Sequence, residues 1–190
     1  NNLWRKNGTG IYKANTGNVG IGTTTPQSLL HVKGGAVLFD STIGSTPVSG
    51  AGTRMMWIPA KRAFRVGEVI GGEWDDFNIG TNSIAMGFST TASGLNSTAM
   101  GNSTYAVGDY STAIGIGSQA NAHNSIAMGF FVSTGGERST AMGDLTNAIG
   151  ITSTAMGAGT SASGTTSTAM GTGTNASGST STAMGSGTRA

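Results

Sequence analysis

Residues 167–185 read STAMGTGTNASGSTSTAMG, and the first five letters return fourteen residues later. The same interval holds from residue 80 onward, where a glycine follows Ala-Met or Ala-Ile at positions 87, 101, 115, 129, 143, 157, 171 and 185. Every copy has a serine four positions before that glycine and an alanine two positions before it. Eight copies without an insertion indicate a repeat architecture.

A second half-repeat of the form Thr-x-Ala-x-Gly lies between these segments, as in Thr90-x-Ala92-x-Gly94, and it is looser, since Ala122 once replaces the glycine. A fourteen-residue period is shorter than helix-pair repeats of about 33 residues and propeller blades of about 40–45. Frequent glycine, at about 1 kcal/mol each, disfavours helix. The period therefore predicts an all-β parallel β-roll over residues 80–190, with turns stacked about 4.8 Å apart.

Alternation along each strand predicts which side chains face the interior of this roll. The Thr and Ala columns of the looser half-repeat are nearly uniform and suit a narrow interior, whereas the columns between them vary and suit water. The Ser-x-Ala-Met-Gly strand is uniform on both faces, one carrying Ser and Ala and the other Thr or Ile plus Met, which predicts burial on both. The sequence leaves open which face lines the roll, and the remaining face needs a partner chain.

One column of this strand is occupied by methionine in seven copies of eight, and we expect it to form the core of the roll or of a subunit interface. Its members are Met86, Met100, Ile114, Met128, Met142, Met156, Met170 and Met184.

The alternation of Ser-x-Ala-Ile/Met-Gly with Ala-x-Gly resembles the head of YadA-type trimeric adhesins, and the resemblance covers residues 80–190. It implies a left-handed parallel β-roll, an obligate homotrimer, an extracellular setting and adhesion to host or matrix surfaces. Methionine stands where the family more usually has isoleucine, a substitution that a packed apolar column tolerates.

The N-terminal segment, residues 1–35, differs in kind from the repeats. Its stretch GNVGIGTTTPQSLLHVKGG, residues 17–35, resembles a segment that recurs in phage tail-fibre proteins and related bacterial surface fibres. Members of that family often continue to a self-cleaving chaperone domain, of which nothing is visible in this sequence. Residues 18–22 predict a tight hairpin or bulged strand. A dinucleotide-binding loop is excluded because Thr25 occupies the third glycine position and Pro26 follows it.

Residues 36–79 are predicted to connect the N-terminal segment to the roll and to cap it, because solenoids protect their open edge with an atypical terminal unit. Trp57, Phe64 and Trp74 are expected to cover the core of the first turn. At the other end, Ala190 falls on the alanine column of an unfinished half-repeat, and we expect the repeats to continue in a longer parent protein.

The composition offers little for catalysis, cofactors or metals. Charged residues make up 9% of the chain, the net charge is +2, and cysteine is absent. There is no basic patch for nucleic acid and no apolar run long enough to span a membrane. His31 and His123 lack partners at metal-ligand spacing. The remaining charged cluster, expected to form ion pairs, comprises Lys61, Arg62, Arg65, Glu73, Asp75 and Asp76.

Four aromatic residues in the early repeats are candidates for surface contacts, namely Tyr105, Tyr110, Phe130 and Phe131, since residues 132–190 contain no aromatic side chain. Exposed aromatic rings on a rigid rod can stack on sugars or anchor a partner protein. The alternative for Phe130 and Phe131 is packing across a trimer interface.

The favoured function is therefore a non-enzymatic trimeric fibre module, a shaft or head that binds a cell-surface receptor or glycan. It would belong to a phage-type tail fibre on a virion or, alternatively, to an adhesin anchored on a bacterial cell. Ice binding is a more distant alternative, because paired threonines such as Thr172 and Thr174 are not sustained in other turns. A polysaccharide lyase or hydrolase needs larger rungs and a groove with carboxylates.

Overall fold

The computed structural model describes residues 4–7, 10–13 and 17–190, which fall into two units, 1–40 and 41–190. Residues 1–3, 8–9 and 14–16 of the predicted N-terminal segment lie outside the described residues. Among those described, no helix is long and apolar enough to cross a membrane.

The first unit contains two pairs of short strands. Strands β1 (Trp4–Asn7) and β2 (Gly10–Lys13) pair antiparallel, and β3 (Val19–Ile21) and β4 (Leu30–Val32) pair parallel. The hairpin predicted around residues 18–22 is therefore wrong. A strand does form there, but its partner lies beyond the loop in which the Asn18 amide donates to the Pro26 carbonyl oxygen at 3.1 Å.

The second unit begins with an antiparallel hairpin of β5 (Gly52–Ile58) and β6 (Ala63–Val69), which are joined by a 3-10 turn at Pro59–Lys61. A second 3-10 turn follows at Asp76–Asn78. Strand β6 runs parallel to the first strand of the repeats and hydrogen-bonds to it, so the hairpin extends the repeat sheet by two strands.

Each of the eight repeats contributes one long strand, and the first seven also contribute one short strand. The long strands are β7 (Ile84–Phe88), β9 (Thr98–Asn102), β11 (Thr112–Ile116), β13 (Ile126–Phe130), β15 (Thr140–Asp144), β17 (Thr154–Ala158), β19 (Thr168–Thr172) and β21 (Thr182–Ser186). The short strands are β8 (Thr91–Ala92), β10 (Tyr105–Ala106), β12 (Gln119–Ala120), β14 (Ser133–Thr134), β16 (Asn147–Ala148), β18 (Ser161–Ala162) and β20 (Asn175–Ala176).

The repeats stack in register, which confirms the predicted all-β parallel β-solenoid with fourteen-residue spacing. Each long strand pairs in parallel with the equivalent strand of the next repeat, so that Met128, for example, pairs with Met142. The long strands together with β5 and β6 form a ten-stranded sheet, and the short strands form a second sheet of seven.

The interior between the two sheets is very narrow and is lined by small side chains. Within one repeat, Ala99 of the long strand and Ala106 of the short strand are fully buried, together with Ser97 and Thr104. The Ser and Ala face of the long strand therefore lines the roll. The Thr or Ile and Met face points outward, so of the two places left open for the methionine column, the core of the roll is wrong. Alternation puts alanine inside, in a space that is filled mainly by alanine, serine and threonine.

Four serines of this column, at positions 83, 97, 125 and 139, close the turn between the two sheets. The buried hydroxyls of Ser111, Ser153 and Ser167 have no hydrogen-bond partner among the described residues. The Ser97 hydroxyl donates to the Gly94 carbonyl oxygen at 2.7 Å, and the Ser139 hydroxyl donates to that of Gly136 at 2.6 Å. The hydroxyl satisfies a carbonyl that the turn buries, which gives a physical reason for a serine at this position.

The glycine that follows methionine is required for two reasons. At Gly129 the backbone φ is 138°, and a Cβ atom there would lie 1.9 Å from the Gly143 carbonyl oxygen of the next repeat. No side chain fits such an approach, and the conformation itself disfavours any residue but glycine. The other glycine column has no positive φ at Gly108, and its position in the next repeat is occupied by Ala122.

Substitution should distinguish the glycine column from a left-handed turn position that accepts side chains. We expect Gly129→Ala to lower the free energy of unfolding by about 2–4 kcal/mol, because both constraints are violated. The control is Gly173→Ser: Gly173 has φ 62° with no atom within 4 Å of a Cβ, and Ser89 and Ser103 occupy its column. This variant should lose about 1 kcal/mol or less. Urea unfolding measures the stability of both variants, and equal losses would contradict the special requirement for glycine at position 129.

Candidate functional site

The outward face of the ten-stranded sheet carries two continuous columns of mainly apolar side chains, here called the outer stripe. The first column is Trp57, Phe64, Ile84, Thr98, Thr112, Ile126, Thr140, Thr154, Thr168 and Thr182. The second column is Met55, Val66, Met86, Met100, Ile114, Met128, Met142, Met156, Met170 and Met184. Ten strands spaced about 4.8 Å apart make the stripe roughly 40 Å long.

The outer stripe is half-buried by its own neighbours and remains open on one side. The methionines from 86 to 170 are of intermediate exposure, whereas Met184 is 59% exposed because the described chain covers it from one side alone. Within the described residues, neither column of the stripe contains a charged side chain.

The short-strand sheet presents a different outer surface. The outward column that begins with Thr91 continues with Tyr105, Gln119, Ser133 and Asn147, and it ends at Arg189. These side chains are mostly polar and vary from turn to turn, as expected for a surface in contact with water. The two sheets of the roll therefore face different surroundings.

The predicted cap residues lie in two different places. Trp74 is fully buried over the first turn, and its indole N–H donates to the Thr90 carbonyl oxygen at 2.8 Å. Trp57 and Phe64 face each other across the β5–β6 hairpin on its outward side, and Trp57 is 41% exposed. The prediction that Trp57 and Phe64 cover the core of the first turn is therefore wrong. The side chains that alternation along β5 turns inward are Met56 and Ile58.

The residue that fills the end of the roll is Arg65, which the sequence assigned to ion pairing. Arg65 pairs with Ala85 in the sheet and is fully buried in line with the alanine column. Its guanidinium donates to the Ser83 carbonyl oxygen at 3.0 Å, to the Ser83 hydroxyl at 2.8 Å and to the Ala92 carbonyl oxygen at 3.0 Å. Burial lowers the pKa of Arg65 to about 10, so the side chain stays charged at neutral pH.

The acidic residues of the cap bind its own backbone and one lysine. Lys61 forms an ion pair with Asp76 at 3.1 Å, and hydrogen bonds from Thr46 and Lys61 lower the pKa of the Asp76 carboxyl group. Glu73 accepts the Gly71 N–H at 2.8 Å and Asp75 accepts the Gly50 N–H at 2.6 Å. Among the described residues, no three His, Asp or Glu side chains come together to hold a metal ion.

The four candidate aromatic residues do not form one surface. Phe130 and Phe131 lie together at the turn after β13, with ring centroids 4.6 Å apart in an edge-to-face arrangement. Tyr110 lies at the opposite turn with φ 58°. Tyr105 points outward from the short-strand sheet, beside Thr91 of the preceding turn.

These features define a class of protein: a parallel β-solenoid of short repeats, capped at one end, with an uncharged stripe along one sheet. The chain belongs to the YadA head family. The family model described as YadA head domain repeat (2 copies) matches residues 79–104, 106–131, 135–160 and 162–188, which together exceed half of the chain. The YadA head is a structural adhesin domain and is exposed at the surface. No curated protein matches the chain in sequence.

The role of Arg65 at the end of the roll can be tested by two substitutions. Arg65→Ala leaves a cavity at the capped end of the roll and should lower the free energy of unfolding by about 2–4 kcal/mol. Arg65→Met keeps most of the volume and removes the buried charge, and it should change stability by about 1 kcal/mol or less. The reason is that the Ser83 and Ala92 carbonyl oxygens keep their backbone donors, Phe64 at 3.0 Å and Gly80 at 2.9 Å. Chemical denaturation measures both variants, and an equal loss would assign the stabilisation to the charge.

Proposed function

We propose that this chain is a module of a homotrimeric surface fibre, in which three copies of the outer stripe meet along a threefold axis. The observation that carries the proposal is the stripe itself, two uncharged columns that run along all ten strands of the long-strand sheet. In a monomer this surface would stay in water, and burying it is favourable by about 25 cal/mol per Å².

The narrow interior makes association the main remaining source of apolar burial. Alanine, serine and threonine contribute little apolar area within the roll, so the larger side chains lie outside. Methionine suits a subunit interface because its flexible thioether adapts to irregular gaps. The left-handed coil and threefold symmetry are what membership of the YadA head family leads us to expect.

The proposed biological role is adhesion or receptor binding, performed by a stiff rod outside the cell. Residues 17–35 favour a fibre of the phage-tail type on a virion, and an adhesin anchored on a bacterial cell is the second candidate. The parent sequence distinguishes them, since a chaperone-like C-terminal domain would support the fibre and a membrane anchor would support the adhesin.

The ice-binding alternative finds no support in the arrangement of the threonines. Thr172 is exposed, whereas Thr174 points into the roll and is 1% exposed. A flat array of paired threonines needs both side chains on one water-facing surface. Ice growth in the presence of the chain should therefore be unchanged.

The trimer interface can be tested with a charge on each of the two sheets. Met142→Glu places a carboxylate in the outer stripe, where burial without a partner is unfavourable by several kcal/mol, and it should dissociate the assembly into monomers. The control is Asn147→Glu, which adds the same charge to the water-facing column of the same turn and should leave the trimer intact. Sedimentation velocity measures both masses.

Two results of this experiment would contradict the proposal. One is a monomeric mass for the unmodified chain, and the other is a Met142→Glu variant that keeps a trimeric mass. If Asn147→Glu dissociated the trimer and Met142→Glu did not, the subunit interface would lie on the short-strand sheet.

The Phe130 and Phe131 pair is the proposed site of contact at the turn. The two side chains are 46% and 55% exposed, and Ile116 and Leu145 stand exposed in the neighbouring turns. Phe131 has φ 47°, a conformation in which a bulky residue is a genuine outlier. The Phe131 ring lies against the backbone of Gly117, which has no side chain to displace it.

A double substitution tests whether this pair contacts a surface or a second subunit. Phe130→Thr with Phe131→Gly copies residues 172 and 173, which occupy the same columns three turns later, so the fold should be retained. We expect at least tenfold weaker binding to target cells, consistent with the loss of two aromatic contacts, and an unchanged trimeric mass. Dissociation of the trimer would instead assign the pair to the subunit interface.

A further inference from the structure

An open cleft lies where the cap meets the outer surface of the short-strand sheet. One wall is the loop between Gly71 and Asn78, and the other is formed by the first two short strands. Its volume is roughly 510 Å³, within the usual range of small-molecule sites and enough for one or two sugar rings. Its lining residues are Gly71, Gly72, Glu73, Asn78, Thr91, Ser93, Tyr105 and Val107.

We propose that this cleft binds an uncharged pyranose unit of a surface glycan, with the Tyr105 ring against the sugar face and the cap loop against its hydroxyl groups. This inference rests on the proposed adhesive function and names the ligand class for one of its candidate residues.

The apolar side of the cleft suits the face of a sugar ring. Tyr105 and Val107 project outward two residues apart on and just after β10. Tyr105 is of intermediate exposure and Val107 is 47% exposed. An aromatic ring beside an aliphatic side chain provides a flat apolar surface with a polar tip, and the C–H face of a pyranose is its natural complement.

The polar side of the cleft is held rigid by its own hydrogen bonds. Glu73 Oε2 accepts the Gly71 N–H at 2.8 Å, and Asn78 Nδ2 donates to the Gly72 carbonyl oxygen at 2.8 Å. These two bonds orient both side chains and leave their second polar atoms, Oε1 and Oδ1, for a ligand. Thr91 and Ser93 add hydroxyl groups on the facing strand, and preorganised polar groups of this kind reduce the entropic cost of binding.

The charge of the cleft selects against acidic sugars. Glu73 is the one ionisable carboxylate among the lining residues, and no lysine or arginine lines the cleft. Asp75, two residues after Glu73 in the sequence, is a further carboxylate of the cap, and it accepts a hydrogen bond from the Gly50 N–H. A sialic acid, uronic acid or sulfated sugar would bring a second negative charge to this site without a cation to compensate it.

The cleft is formed once in each chain, because one of its two walls is the cap loop and the later turns have no equivalent loop among the described residues. The short-strand sheet faces away from the outer stripe, so a trimer would present three such clefts to the surroundings. Weak single-site binding to a sugar would then be strengthened on a surface that carries many copies.

The test is binding of the full chain to immobilised oligosaccharides that end in galactose, glucose, mannose or N-acetylglucosamine, each beside a sialylated or sulfated counterpart. The unmodified trimer should bind at least one uncharged glycan and bind its acidic counterpart at least tenfold more weakly. Tyr105→Ser, which copies Ser133 of the same column, should reduce binding at least tenfold. Glu73→Gln, which keeps an acceptor for the Gly71 N–H, should narrow the difference between uncharged and acidic glycans.

Gln119→Ser is the matched control, because it also introduces a serine into this column but one turn further along, outside the cleft. It should bind as the unmodified chain does. The inference is overturned if an intact trimer binds none of the uncharged glycans, if Tyr105→Ser binds normally, or if Gln119→Ser weakens binding to the same extent. A monomeric mass, by contrast, overturns the proposed fibre function.

Discussion

The structure depends on the close, in-register approach of one turn to the next. At the glycine column a Cβ atom would lie about 2 Å from the carbonyl oxygen of the following turn, and the space between the two sheets of the repeats is filled almost entirely by alanine, serine and threonine, with Val132 as the exception. The consequence is a roll whose interior is fully buried but poor in apolar area. Larger apolar side chains therefore lie on the outside, in the outer stripe, where the proposed trimer would bury them.

The narrow interior of the roll also explains which residues close its end and which residues vary on its surface. A roll built from small side chains has no large residues with which to close its end, so the cap supplies Trp74 and the long side chain of Arg65. In the proposed function, recognition would likewise need side chains that the repeat does not provide. Aromatic residues therefore appear at the turns and on the short-strand sheet, where the backbone pattern tolerates variation, as at Phe131 and Tyr105.

The positions of Arg65, Trp57 and Phe64 and the existence of the cleft could not be predicted from the sequence, for physical reasons. Arg65 was expected in an ion pair because charged residues are rarely buried, and only its register with Ala85 reveals that it continues the alanine column. Trp57 and Phe64 were expected in the cap core because large aromatic residues usually are buried, but the alternation along the hairpin turns them to the outer stripe. The cleft beside Tyr105 joins residues from the cap and from two turns, and no local pattern indicates that they meet.

The sequence by itself determined the period, the parallel stacking and the small-residue interior, because a fourteen-residue repeat with fixed glycine positions admits few other backbones. It also determined that the long strand is constrained on both faces. Only the tertiary structure decided that the Ser and Ala face lines the roll and that methionine faces outward. In the sequence of a single strand, both faces are equally uniform and cannot be told apart. The volume available between the two sheets depends on both sheets, and it admits the face with the smaller side chains, Ser and Ala.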